Sequence, residues 1–240
     1  MARQGPAKGE ATRIEIPSGA SLPVAAPPDR APSSRAGVRV HKALLVVGVQ
    51  NDFCPGGSMA VPGGDRVAAP LSALGSAVDH AGDLVIASRE WHRESSAFFD
   101  TNGGTVSPYC VAGTEGAAFP RDLNLSRRTR QVFRSLDPVE NGSSAFLAVD
   151  RSGARLSELL RSAGVTELFL GGLPLEQTIR ETAMDGLRRG FGVTVIMDCV
   201  ASRNPQEGRE VLFQLRLAGA AVMSSGEAIL SLYRSGEARL

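Results

Sequence analysis

Cysteine is scarce in this chain of 240 residues: Cys54, Cys110 and Cys199 are widely spaced, with no Cys-x-x-Cys pair. That spacing implies neither a disulfide framework nor a thiolate zinc site, and it suits a reducing cytoplasm. An excess of charge is missing too, with 26 basic against 25 acidic residues and a formal net charge of +1. Nucleic acid and anionic membrane therefore have no electrostatic claim as partners. No stretch approaches the ~18 consecutive apolar residues of a membrane span, and the first 38 residues have no continuous apolar core of the secretory kind. Aromatic residues make up 5% and apolar residues 42%. A chain of this length and apolar content can bury one ordinary α/β domain and carry a tail.

The expected tail is residues 1–38, where Pro6, Pro17, Pro23, Pro27, Pro28 and Pro32 stand among Ala, Ser, Gly and scattered Arg. Such a composition cannot bury enough surface to offset the entropy of ordering it, so disorder is expected there. Within it only Thr12 to Ile16 alternates like a short edge strand. Residues 39–240 form the expected folded domain. Ala43 to Val49 is a continuous apolar run closed by QNDFCPGG and reads as a first buried strand with a loop after it. Val67 to Val78 has helical spacing, and Leu84 to Ala87 is a second strand. Trp91 to Asn124 is irregular and far longer than ordinary connections, which marks it as functional or disordered. Val132 and Phe133 begin a third strand, and Ser152 to Ala163 forms a helix. Val193 to Met197 and Ala220 to Met223 are two further strands. A helix starts at Asn204, with Pro205 in its first turn and Glu207 placed to reach back, and Ala228 to Tyr233 is a last short helix.

Between these lies Leu168 to Gly190, LFLGGLPLEQTIRETAMDGLRRG. The run Leu168 to Leu170 is apolar without alternation, as a strand covered on both faces must be. The helix after it presents Ile179, Ala183 and Leu187 to the sheet and ends at Gly190 in a left-handed cap. Strands alternating with helices in this way imply an α/β fold: a six-stranded, mainly parallel sheet in three layers of Rossmann-like type, with helices on both faces. The site is then expected at the carboxyl ends of the strands. The mouth of the central turn carries Glu176, Gln177 and Thr178, where a helix N-terminus favours developing negative charge.

VVGVQNDFCPGGSMAVPGG, SREWH, YCVAGTEGAAF, SSAF and GGLPLEQTIRETAMDGL, in this order over residues 42 to 225, resemble the nicotinamidase/isochorismatase family of cysteine hydrolases. The resemblance implies an isochorismatase-like hydrolase domain. It also implies an Asp after the first strand, a Lys after the third, a Cys at the central turn, and a metal held by an Asp and histidines. Laid on this chain, the three catalytic positions fall on Gly48, Arg134 and Thr178. The metal positions read Glu90 and His92, with the remaining histidines falling near Ser96 and on Tyr109, and the aromatic beside the substrate falls near Val106. Gln50, Asp52 and Phe53 are retained.

Gly48 has no proton to exchange, Arg134 stays protonated, and Thr178 needs a neighbouring base to become a nucleophile. Loss of one acid or base typically costs about 10²–10⁴ in rate, so the standard cysteine-hydrolase activity is expected to be absent. The expectation is a pseudoenzyme, cytoplasmic and without a cofactor, acting as a small-molecule-binding or assembly module. The alternative is an active hydrolase of a small amide or related carbonyl compound using Thr178 with Glu176 or Asp52. For ligand binding the sequence offers Phe53, Arg134, Glu176 and Thr178: with the family's acid missing at Gly48, Arg134 is expected to face a pocket suited to a small carboxylate. Homo-oligomerisation is expected from the resemblance. Asp52 has a plain alternative role in ordering its own turn, and Glu90 with His92 provides fewer ligands than a tight metal site uses.

Overall fold

A computed structural model describes residues 41–135 and 142–237. The tail and the short strand expected at Thr12 to Ile16 lie outside the described residues. Six strands, β1 His41–Val47, β2 Leu84–Glu90, β3 Arg130–Arg134, β4 Val165–Gly172, β5 Gly192–Val200 and β6 Ala221–Met223, form one sheet in the order β3-β2-β1-β4-β5-β6. Every neighbouring pair is parallel. Five α-helices accompany them: α1 Ala68–His80, α2 Leu156–Ser162, α3 Arg180–Arg188, α4 Pro205–Leu217 and α5 Ser225–Glu237.

The unbroken apolar run of β1 is explained by its two faces. Ala43, Leu45 and Val47 join a core with Leu156 and Leu160 of α2, Ile179 and Ala183 before and within α3, and Val211 and Leu215 of α4. Leu44 and Val46 point the other way, into a core with Leu71, Leu74 and Val78 of α1 and Ala228 and Leu232 of α5. A central strand with both sides covered cannot afford alternation. The chain leaves β1 toward β2 on one side and returns at β4 on the other, so the switch in strand order falls between β1 and β4, which stay paired to their carboxyl ends through Val47 and Gly172.

Several boundaries differ from the sequence expectation for local reasons. The helix expected from Ser152 begins only at Leu156, because Asp150 Oδ1 accepts hydrogen bonds from Ser152 N, Ser152 Oγ and Ala154 N and holds that stretch in a turn. Asn204 does cap α4, its Oδ1 accepting from Gln206 N and Glu207 N, but Asn204 N donates to Ser202 Oγ instead of to Glu207. The last helix is longer than expected. Ser224 and Glu227 start it reciprocally, Ser224 N donating to Glu227 Oε2 and Glu227 N to Ser224 Oγ.

Candidate functional site at the carboxyl edge of the sheet

Gly48 follows β1 directly and adopts φ 64°, a left-handed conformation that glycine enters without strain. A Cβ at this position would stand 2.6 Å from the Leu173 carbonyl oxygen and 3.8 Å from the Phe53 ring. The backbone entering the central turn thus fills the space beside Gly48. Leu173 leads through a cis bond to Pro174, and a π-helical turn, Leu175–Ile179, precedes α3. Thr178 lies within that turn and is buried. Its carbonyl accepts from Thr182 Oγ1 at 2.7 Å, and the same Thr182 oxygen accepts from Ala145 N at 2.9 Å.

Arg134 ends β3 directly beside Glu90, its register partner at the end of β2. It points inward and is buried. Its Nη2 lies 2.5 Å from both oxygens of Glu90, Nε donates to Oε1 at 2.9 Å, and Nη1 donates to the Gly142 carbonyl at 2.7 Å. The expectation that loss of an acid at Gly48 leaves Arg134 under-neutralised is therefore corrected. Glu90, only 5% exposed, supplies the countercharge from the adjoining strand. Glu176 turns to Arg203, with Oε1 3.3 Å from both Arg203 N and Nη1.

A contiguous cluster continues from the ion pair. His92 Nε2 lies 3.2 Å from Glu90 Oε2. The His92 ring meets Tyr109 edge-on at 4.7 Å, and Tyr109 meets Phe53 at 5.8 Å. Burial, reinforced by the nearby Glu90 carboxylate, raises the Tyr109 phenol well above its ordinary pKa, so it stays neutral. Gly48, Phe53, Tyr109, His92, Glu90 and Arg134 thus adjoin in series. The central turn and α3 are linked to them by the segment at residues 142–145. Gly142 receives Arg134, Ser143 Oγ accepts from Gln177 Nε2, Ser143 N donates to Glu181 Oε2, and Ala145 N donates to Thr182.

A divalent metal does not fit this donor set. Glu90 has both oxygens engaged by a guanidinium, Tyr109 is a neutral phenol, and Ser96 sits in a turn where its backbone carbonyl accepts from Phe99 and Asn102. Among the described residues no group of three or more His, Cys, Asp or Glu side chains is placed to hold a metal ion. A cavity of about 570 Å³ lies between residues 142–147, α3 and α4, reaching the cluster only at Gly142, and is lined by Arg180, Glu181, Asp185 and Arg188 among others.

The retained motif residues have firm structural work. Gln50, fully buried, donates from Nε2 to the carbonyls of Glu90 and Ala117 and accepts from Glu90 N, tying β1 to β2. Asp52 Oδ2 accepts from Cys110 N at 2.6 Å while Asn51 Nδ2 donates to Glu115 O. Gly116 packs so closely on the Asp52 carboxylate that any side chain there would overlap it. The loop after β1 and the CVAGTEGA loop therefore clasp one another. Sequence reasoning missed the Arg134–Glu90 pair, although its signal was present: two opposite charges terminate β2 and β3, which a parallel sheet brings side by side.

Comparison with known proteins places these features in context. The isochorismatase domain model matches residues 42–227. The chain is 32% identical over 188 residues to the nicotinamidase/pyrazinamidase of Mycobacterium tuberculosis, covering 77% of this chain and 99% of that one. It is 28% identical over 174 residues to a probable inactive nicotinamidase of Arabidopsis thaliana, covering 69% and 83%. Among solved structures, the pyrazinamidase of Pyrococcus horikoshii in complex with zinc superposes with a TM-score of 0.69 at 30% identity, covering 77% of this chain and 99% of that one.

Proposed function

The chain belongs to the isochorismatase family, and from that premise we propose that it keeps the family's hydrolase fold without the family's hydrolysis, serving as a binding or assembly module. The observation that carries this reading is the binding of Arg134 by Glu90. The cation at the family's lysine position is permanently protonated and already held in a bidentate pair, so it neither shuttles a proton nor stands free for substrate. Gly48 offers no acid or base, and a Thr178 hydroxyl is not ionised near neutral pH. Loss of cooperating groups is not repaired by the scaffold that remains.

The second reading is an active hydrolase of a small amide or related carbonyl compound, with Thr178 as nucleophile. Descent favours it, since a relative 32% identical over nearly its whole length is named a nicotinamidase/pyrazinamidase. Chemistry weighs against it, because Glu176 is turned to Arg203 and Asp52 to the Cys110 amide, leaving Thr178 without either expected base. Purified full-length protein incubated with nicotinamide, pyrazinamide and isochorismate separates the two. No turnover is expected; turnover abolished by Thr178→Ala defeats the first reading.

For the assembly role, support comes from the outer faces of α4 and α5. Phe213 and Leu217, one helical turn apart, are 61% and 73% exposed, and Leu230 and Tyr233 are exposed on α5. The two pairs lie on opposite sides of the sheet, since α4 packs into one core and α5 into the other; each suits contact with another chain, and a homo-oligomer is the simplest form of it. Light scattering at micromolar concentration tests this, and a monomer mass rejects it. A small carboxylate or amide ligand against Phe53 and Thr178 is a further part of the binding proposal, with Arg134 reached only by displacing Glu90.

A further inference from the structure

We infer that the Arg134 guanidinium is a built-in cation that takes the place of an exchangeable divalent metal, so that the folded protein excludes metal from the Glu90–His92–Tyr109 cluster. Three side chains at metal-type positions gather around the ion pair. Glu90 gives the guanidinium both oxygens, the fully buried His92 stands 3.2 Å from the same carboxylate, and Tyr109 meets the His92 ring edge-on at 4.7 Å. A carboxylate this buried requires a positive partner. The sheet supplies that partner rigidly, because Glu90 and Arg134 are register partners on adjacent strands.

The substitution has chemical consequences. A divalent ion entering beside Arg134 would meet a like charge in a poorly solvated interior and find no free oxygen on Glu90. Arginine cannot relieve that repulsion by losing its proton, as a lysine could. A guanidinium holds an anion through N–H donors and has no vacant coordination position, so it anchors the cluster without acting as a Lewis acid. The arginine on β3 and the thinned ligand set therefore form one coupled change. This inference concerns the cation alone and stands whether Thr178 is inert or active.

Co²⁺ titration of the full-length chain, read by visible absorption and by thermal melting, tests it on wild type, Arg134→Ala, Arg134→Lys and the Arg134→Ala/His92→Ala double variant. Wild type is expected to show no cobalt absorption and no melting shift, and Arg134→Lys, whose ammonium can lose its proton, a smaller gain of Co²⁺ than Arg134→Ala. Arg134→Ala is expected to melt lower, to take up Co²⁺ through Glu90 and His92 more weakly than a three-ligand site would, and to recover stability with it; the added His92→Ala change is expected to abolish both effects. Stoichiometric Co²⁺ in wild type that is lost on His92→Ala overturns the inference. So does an Arg134→Ala protein that fails to gain Co²⁺ binding, whether folded without it or unfolded and not rescued by the metal.

Discussion

Arg134 Nη2 lies 2.5 Å from both carboxylate oxygens of Glu90, on the adjoining strand, with the two side chains 8% and 5% exposed. Removing one partner of such a pair strands a charge, which costs about 3–5 kcal/mol, whereas removing both in favour of apolar groups costs far less. Arg134→Ala is therefore expected to lower unfolding stability by about that amount, and Arg134→Met/Glu90→Leu by clearly less. Urea unfolding monitored by circular dichroism measures the difference. Equal losses for single and double variants would mean that the pair is not the stabilising unit described.

Restoring an acid at Gly48 is expected to fail for a backbone reason. The residue adopts φ 64°, and its Cβ would lie 2.6 Å from the Leu173 carbonyl. A left-handed non-glycine residue costs about 1–3 kcal/mol before any overlap is counted. Gly48→Asp should destabilise the fold and leave nicotinamide unhydrolysed. A Gly48→Asp protein as stable as wild type that turns nicotinamide over would reverse this account of the site.

The fold was legible because its signals are local and dense. Apolar runs such as Ala43 to Val49 and Leu168 to Leu170 can be satisfied only between two helical layers, and the Asn204-Pro205 start carries its own capping chemistry. Boundaries slipped where a side chain competed with the backbone pattern, as Asp150 does ahead of α2. Motif order singled out Gly48, Arg134 and Thr178 as candidate positions. Their surroundings were not, because the partner of Arg134 was chosen by strand adjacency between residues 44 apart. Sequence reasoning offered Glu176 as a candidate base and ligand contact at the mouth of the turn. Arg203, on the loop after β5, was the cation it met.

The retained Asp52 is expected to behave as a scaffold residue. It accepts from Cys110 N at 2.6 Å and from Ser58 N at 3.3 Å, joining two loops distant in sequence. Cys110 itself sits at φ 45°, an uncommon conformation for a residue with a side chain, and the Asp52 bond helps to hold it there. Asp52→Ala should cost about 1–3 kcal/mol, and Asp52→Asn, which keeps an acceptor, should cost less. If Asp52→Ala leaves stability untouched but abolishes a measurable hydrolysis, the residue is chemical and not structural.

The three cysteines give a prediction in pH. Cys54, Cys110 and Cys199 are all buried, and desolvation raises each thiol above its ordinary pKa; Asp65 adds to the shift at Cys54, Glu90 and Asp52 at Cys110, and Asp198 at Cys199. Thiolate is the reactive form, so the native protein should react slowly with a disulfide reagent at neutral pH and the denatured protein quickly. The same shifts act on stability. In the unfolded chain the thiols ionise near pH ~8.5 and Tyr109 near pH ~10, whereas the folded state keeps all four protonated to higher pH. The folded state then binds more protons than the unfolded state, and stability must fall as pH rises. This contribution is fully present below about pH 8, declines from about pH 8.5, and declines more steeply once the unfolded tyrosine ionises above about pH 10. Urea midpoints taken across that range should follow this course, and Cys199→Ala should flatten its first part. Midpoints that stay constant to pH ~10.5, or native thiols that react as fast as denatured ones, would show that these groups are not held protonated by burial.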